Sequence, residues 1–130
     1  MRAVIVGGEK ASLERLHEWI DCGGSTVRFF NTYGPTECSV VATYHEVYGK
    51  GAPESSLPIG RPIRNTRALV LDRHGAPLPA GFTGELWLAG AGVALGYAGN
   101  RAETARRFRE FPVPGLDERL RAYRTGDRAR

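Results

Sequence analysis

The sequence predicts an α/β fold in two styles: a βαβ parallel-sheet portion, then a small β-barrel-like subdomain. Three observations carry this. Arg2 to Val6 and Val27 to Phe30 are short apolar runs on either side of a helical pattern. Residues 49 to 62 concentrate Gly49, Gly51, Pro53, Pro58, Gly60 and Pro62, the composition of a connector. Beyond them, short apolar runs alternate with turn signals. The expected division is 1–56 for the end of the sheet subdomain and 57–130 for the barrel-like one.

Arg2 to Val6 reads as a strand buried on both faces and closed by Gly7-Gly8. Ser12 is placed to cap a helix in which Leu13, Leu16 and Ile20 recur at helical spacing, with Trp19 beside them, and Gly23-Gly24 stops the pattern. Val27 to Phe30 completes the unit, so its two strands should be parallel with a right-handed crossover. In the second half, Ala68 to Leu71 and Glu85 to Ala89 read as strands, with turns at 73–75 and 79–81. Glu103 to Phe108 suits one or two helical turns, Pro112 to Gly115 a loop, and Ala122 to Thr125 a last short strand.

The 130 residues include 42% hydrophobic and 25% charged side chains, the composition of one globular domain. No apolar run approaches the ~20 residues of a membrane-spanning helix and no signal peptide opens the chain, so a cytoplasmic protein without a membrane partner is expected. Cys22 and Cys38 form no CxxC and are expected to be reduced thiols. The net charge of +4 is local: residues 101–130 hold nine Arg against five acids, whereas residues 1–100 are balanced at nine and nine. Lacking interleaved aromatics or a helix-turn-helix, RRM or zinc pattern, this excess reads as a solvated face rather than a nucleic-acid site.

The most informative segment is NTYGPTE, Asn31 to Glu37, expected directly after the second strand, where ligands of parallel sheets gather. Gly34 lets backbone approach a ligand, Pro35 stiffens the turn, Tyr33 offers a ring to a base, and Glu37 offers hard oxygen to Mg²⁺. By themselves these residues describe a capped tight turn equally well.

Four further segments decide between the readings: VGGE at Val6 to Glu9, IGRPI at Ile59 to Ile63, GELWLAGAGVALGY at Gly84 to Tyr97, and YRTGD at Tyr123 to Asp127. With NTYGPTE they resemble, in order and approximate spacing, the core motifs of amino-acid adenylation domains of nonribosomal peptide synthetases, in the adenylate-forming superfamily. The resemblance covers nearly the whole chain. It implies part of the large N-terminal domain of such an enzyme, in which a carboxylate attacks the α-phosphate of ATP to give an acyl-adenylate and pyrophosphate. An acyl- or aryl-CoA ligase, or a noncatalytic remnant kept as a binding module, are the alternatives.

Carried over position by position, the resemblance implies that Thr36 and Glu37 contact the α-phosphate and bind Mg²⁺. Asn31 and Tyr33, with Gly8, Glu9 and Lys10, match adenine-side positions. Asp127 matches the acid that accepts hydrogen bonds from both ribose hydroxyls. Ile5, Gly7, Thr32, Val40 and Val41 match substrate-pocket positions, and since most are apolar and none is charged, they suit a neutral side chain. The partners implied are an amino acid or other carboxylic acid and a carrier-protein domain of the parent synthetase.

GAGVALG at Gly90 to Gly96 has the spacing GxGxxxG and no surrounding βαβ unit, so it is not a dinucleotide loop. Leu95 stands where the family usually has Arg, Arg101 where Pro is common, and Arg128 where Leu is common. The family's TSGTTGxPKG-type phosphate loop and its C-terminal catalytic lysine are missing from the 130 residues, whose two lysines, Lys10 and Lys50, match neither. The expectation is a fragment of a larger synthetase, inactive alone.

Overall fold

The computed structural model describes residues 1–48, 53, 55–112 and 119–130. Among these residues, two four-stranded sheets make the fold. Strands β1 (Ala3–Val6), β2 (Arg28–Tyr33), β3 (Thr43–Val47) and β4 (Arg61–Pro62) form the first, in that spatial order. The second holds β5 (Thr66–Leu71), β6 (Gly84–Gly90), β7 (Phe108–Pro112) and β8 (Arg119–Ala129) in the order β5-β6-β8-β7. Helices α1 (Leu13–Asp21) and α2 (Arg101–Arg107) lie between strands in the chain. No helix among the described residues is long and apolar enough to cross a membrane.

The pairing expected of the βαβ unit holds, β1 and β2 being parallel with Ala3 opposite Arg28 and Val6 opposite Asn31. But β1 is not buried on both faces as expected: Val4 and Val6 pack toward α1 while Ala3 and Ile5 are exposed on the other face. Ser12 caps α1 by accepting from the Arg15 amide, and the Cys22 and Gly23 amides close its other end on the Glu18 and Ile20 carbonyls. The buried stripe of α1, Leu16 and Ile20, packs on Phe29 and Val47, with Val4, Val6, Trp19 and Leu57 around them. Each of the four buried side chains, Leu16, Ile20, Phe29 and Val47, contributes about 1.5–3 kcal/mol on leaving water.

The second sheet is antiparallel throughout. Its centre, β6, is buried on both faces: Leu86 and Leu88 face one core with Cys38, Ala42, Phe108 and Tyr123, while Trp87 and Ala89 face another with Leu71 and Ala122. The first of these cores joins the sheets, because Cys38 and Ala42 come from the β2–β3 connection. That connection folds into a 3₁₀ turn, Thr36–Cys38, after which Ser39 and Val40 take left-handed φ of 58° and 70°. The Ala42 amide then returns to the Tyr33 carbonyl at 2.8 Å and starts β3.

Several boundaries differ from expectation for physical reasons. Asn31 to Tyr33 belong to β2 itself, because β3 pairs with them, and NTYGPTE leaves the sheet only at Gly34. The last strand runs from Arg119 to Ala129 rather than 122–125: a register shift opposite Glu85 and Trp87 accommodates Gly126, so Asp127 is carried by a strand. The expected helix stops at Arg107, and Phe108 starts β7. The expected loop at Pro112 to Gly115 and most of the connector's start, 49–52 and 54, lie outside the described residues, apart from Pro112, which ends β7.

Candidate functional site

The ends of β1, β2 and β8 meet around a cleft of about 390 Å³. Gly8, Glu9, Lys10 and Ala11 form one side, Asn31 to Pro35 another, and Leu57, Ile59 and Asp127 complete it. Segments separated by most of the chain thus converge, those after β1 and at the end of β2 lying at the carboxyl ends of the parallel pair, where ligands of such sheets bind.

Local polar bonds fix the walls. Asn31, 6% exposed, donates from Nδ2 to the Pro58 carbonyl at 2.8 Å, and Thr43, 1% exposed, donates from Oγ1 to the Ile59 carbonyl at 2.7 Å. These two bonds clamp residues 57–60 to the first sheet. Thr32 Oγ1 donates to the Val6 carbonyl at 2.8 Å, tying the end of β2 to that of β1. A Cβ at Gly7 would lie 2.3 Å from Thr32 Oγ1, so a side chain is excluded where the strands come closest.

Across the sheets, the Tyr33 hydroxyl donates to Asp127 Oδ2. Burial, then the bond to Asp127, holds the Tyr33 phenol well above its ordinary value, so it stays a donor. The Asp127 amide rests on Thr125 Oγ1 at 3.0 Å, and Thr125 in turn donates to the Leu86 carbonyl at 2.8 Å.

Glu37 stands apart from this cleft, in the 3₁₀ turn. Its Oε1 accepts from the hydroxyls of Tyr97 and, at 3.0 Å, Tyr123, while its carbonyl accepts from the Ala94 amide at 2.8 Å. Burial alone would raise the Glu37 carboxyl. The Tyr97 bond, a backbone amide, the Tyr123 bond and the field of Arg107 outweigh it and hold the group below the usual carboxylate range. Both hydroxyls go to Oε1, and Oε2 takes no hydrogen bond among the described residues. One anchored carboxylate suits Mg²⁺, which binds through one or two carboxylates plus substrate phosphates. Among the described residues no group of three or more His, Cys, Asp or Glu could enclose a metal. Cys38, beside Glu37 in sequence, is buried, and its thiol is pushed up to about 12 by burial and then by the Glu37 charge, which makes it inert.

Of the residues singled out from the sequence, Gly8, Glu9, Lys10, Asn31, Thr32, Tyr33 and Asp127 line the cleft together. Thr36 is exposed at the start of the turn that carries Glu37. Ile5 pairs with Phe30, which puts Ile5, Phe30, Thr32 and Tyr44 on the sheet face opposite α1, where Ile5 is 70% exposed. Val40 is exposed and Val41 half-buried in the β2–β3 connection. Sequence reasoning missed Tyr97 and Tyr123 as partners of Glu37. Both sit inside segments already quoted, where a tyrosine closes GELWLAGAGVALGY and opens YRTGD. Leu57 and Ile59 were missed as cleft walls.

A family model described as AMP-binding enzyme matches residues 1–98. The chain is 42% identical over 130 residues to an isonitrile lipopeptide synthase of Streptomyces coeruleorubidus, covering 100% of this chain and 8% of that protein. It is 42% identical over 130 residues to malpibaldin synthetase of Mortierella alpina, covering 100% of this chain and 2% of that protein. Among solved structures, an NRPS protein containing adenylation and PCP domains superposes with a TM-score of 0.89 at 37% identity, over 100% of this chain and 26% of that one. The Klebsiella oxytoca NpsA N-terminal subdomain in complex with 3-hydroxybenzoyl-AMSN gives 0.83 at 31% identity, over 97% of this chain and 31% of that one. The chain therefore spans a small part of each relative's length.

Proposed function

The chain belongs to the AMP-binding enzyme family of adenylate-forming ligases, and on that premise we propose that it forms the nucleotide-binding part of an adenylation domain that activates an amino acid for nonribosomal peptide synthesis. The single observation that supports this best is the cleft in which Gly8 to Lys10, Asn31 to Tyr33 and Asp127 converge from three separate strand ends. An adenine lies against Tyr33 and the Gly8 to Lys10 turn, and the Asp127 carboxylate accepts from the ribose hydroxyls. Thr36 and Glu37 then face the phosphates. In the reaction a substrate carboxylate oxygen bonds to the α-phosphorus as the bond to the β-phosphate oxygen breaks, giving the aminoacyl-adenylate and releasing pyrophosphate. Mg²⁺ bound at Glu37 Oε2 would neutralise phosphate charge.

Ile5, Gly7, Thr32, Val40 and Val41 are proposed as pocket positions for a neutral side chain, and a carrier-protein domain as the acceptor of the activated acid. We likewise propose the division into 1–56 and 57–130 as a functional one, with adenine, metal and pocket motifs in the first part and the ribose acid in the second. The 130-residue chain is expected to bind nucleotide without catalysing amino-acid-dependent pyrophosphate exchange, since its sequence holds neither the phosphate loop nor the catalytic lysine. Isothermal titration with AMP tests the reading. Binding is expected for the native chain and should weaken measurably in Asp127→Ala; binding that Asp127→Ala leaves intact would refute the placement of the ribose.

A further inference from the structure

We propose that Tyr33 is a positioning residue for Asp127, its hydroxyl fixing the carboxylate so that the cleft distinguishes a ribose from a sugar without the cis-diol. This deepens the nucleotide reading above and rests on it. The ring of Tyr33 is shared by any stacking residue, but the hydroxyl has a separate task, because it reaches across the two sheets to Asp127 Oδ2. The main chain of Asp127 is already held through Thr125 to β6. Its side chain is exposed, and Tyr33 is its one hydrogen-bond partner among the described residues.

An exposed aspartate samples several rotamers, and immobilising it on binding costs affinity. Tyr33 removes that cost before the nucleotide arrives. The bond does not exhaust the acceptor: a carboxylate offers about four lone-pair sites, so three remain for two ribose hydroxyls. Half-buried between the sheets, the phenol remains protonated and cannot turn into a competing anion.

The test is a comparison of AMP with 2′,3′-dideoxy-AMP by isothermal titration on the 130-residue chain. In Tyr33→Phe, which keeps the ring, AMP affinity should fall about three- to tenfold, the range for releasing one ordered side chain, while dideoxy-AMP changes less than about twofold. Equal losses for both nucleotides would mean that the hydroxyl only supports the fold of the cleft, and no loss for either would mean that the bond is idle and the ring alone matters; each overturns the proposal. Asp127→Ala supplies a second arm, in which adding Tyr33→Phe should weaken AMP no further. A further drop there would place the hydroxyl's contribution elsewhere. If the native chain binds neither nucleotide, the nucleotide reading itself fails and the proposal falls with it. If it binds both equally, nucleotide binding stands but Asp127 is not the ribose acceptor, and the proposal alone is overturned.

Discussion

Replacing Gly60 by alanine should unfold the cleft wall, and Gly75 provides its control. The two glycines have nearly equal backbone angles, φ 78° and 85°. An alanine in this left-handed region costs about 1–2 kcal/mol at either site. They differ in surroundings: a Cβ at Gly60 would lie 1.9 Å from the Tyr44 carbonyl oxygen and 2.7 Å from the His45 amide nitrogen, whereas one at Gly75 meets nothing within 4 Å. Both neighbours of Gly60 are β3 backbone, which cannot rotate away. The overlap therefore adds about 1–3 kcal/mol of overpacking strain, and the expected totals are about 1–2 kcal/mol for Gly75→Ala and about 2–5 kcal/mol for Gly60→Ala. Because Ile59 and Arg61 flank the site of overlap, Gly60→Ala should also loosen the Thr43–Ile59 bond and the pairing of Tyr44 with Arg61, and AMP binding should weaken. Urea unfolding followed by circular dichroism measures the stabilities, and titration measures the binding. Equal destabilisation by the two variants would refute the steric argument, since backbone strain would then account for both.

Three other outcomes follow from the packing and the charges. Leu88, fully buried in the core that joins the two sheets, should cost about 2–5 kcal/mol when cut to alanine, read from the shift in urea midpoint. Glu37 has a folded pKa below its ordinary 4.5, so its contribution is complete above the unfolded value and disappears as pH falls through the lowered folded one. Glu37→Gln should accordingly flatten the acid limb of a stability profile between about pH 5 and pH 2, and an unchanged slope would deny the carboxylate any folded-state stabilisation. Among the described residues β1 pairs on one side only while β6 is paired on both, so amides of Ala3–Val6 should exchange with deuterium faster than those of Leu86 to Ala89, and equal protection would contradict the edge position.

What was legible in the sequence was what depends on near neighbours in the chain. The helical spacing of Leu13, Leu16 and Ile20, the cap at Ser12 and the stop at Gly23 all act within a few residues, and α1 lies where they put it. The apolar runs of β1, β5 and β6 were equally local. Strand β3, Thr43–Val47, was not anticipated because its exposed face carries Tyr44 and Glu46, and nothing nearby announces that Asn31 to Tyr33 wait for it. Strand β7 follows α2 without a turn residue and ends in proline, which suits an edge. In the cleft, motif resemblance singled out Asn31, Tyr33 and Asp127, but the bond between the last two is set by the register of β8, including its shift near Gly126. The tyrosines on Glu37 escaped notice because they come from 60 and 86 positions away.

Those separations also order events in time. Tyr33 meets Asp127 across 94 positions, so a chain emerging from a ribosome has made nearly all of these 130 residues before the cleft can close. Closing so wide a loop is slow relative to forming α1 or the β5–β6 hairpin, and contacts of this kind are expected late in folding. Interactions formed after the rate-limiting step govern how fast a protein comes apart rather than how fast it is made. The hydroxyls of Tyr33, Tyr97 and Tyr123 are therefore expected to act as late fasteners: their removal should leave the folding rate nearly native and speed unfolding, which stopped-flow rates of the Phe variants would read.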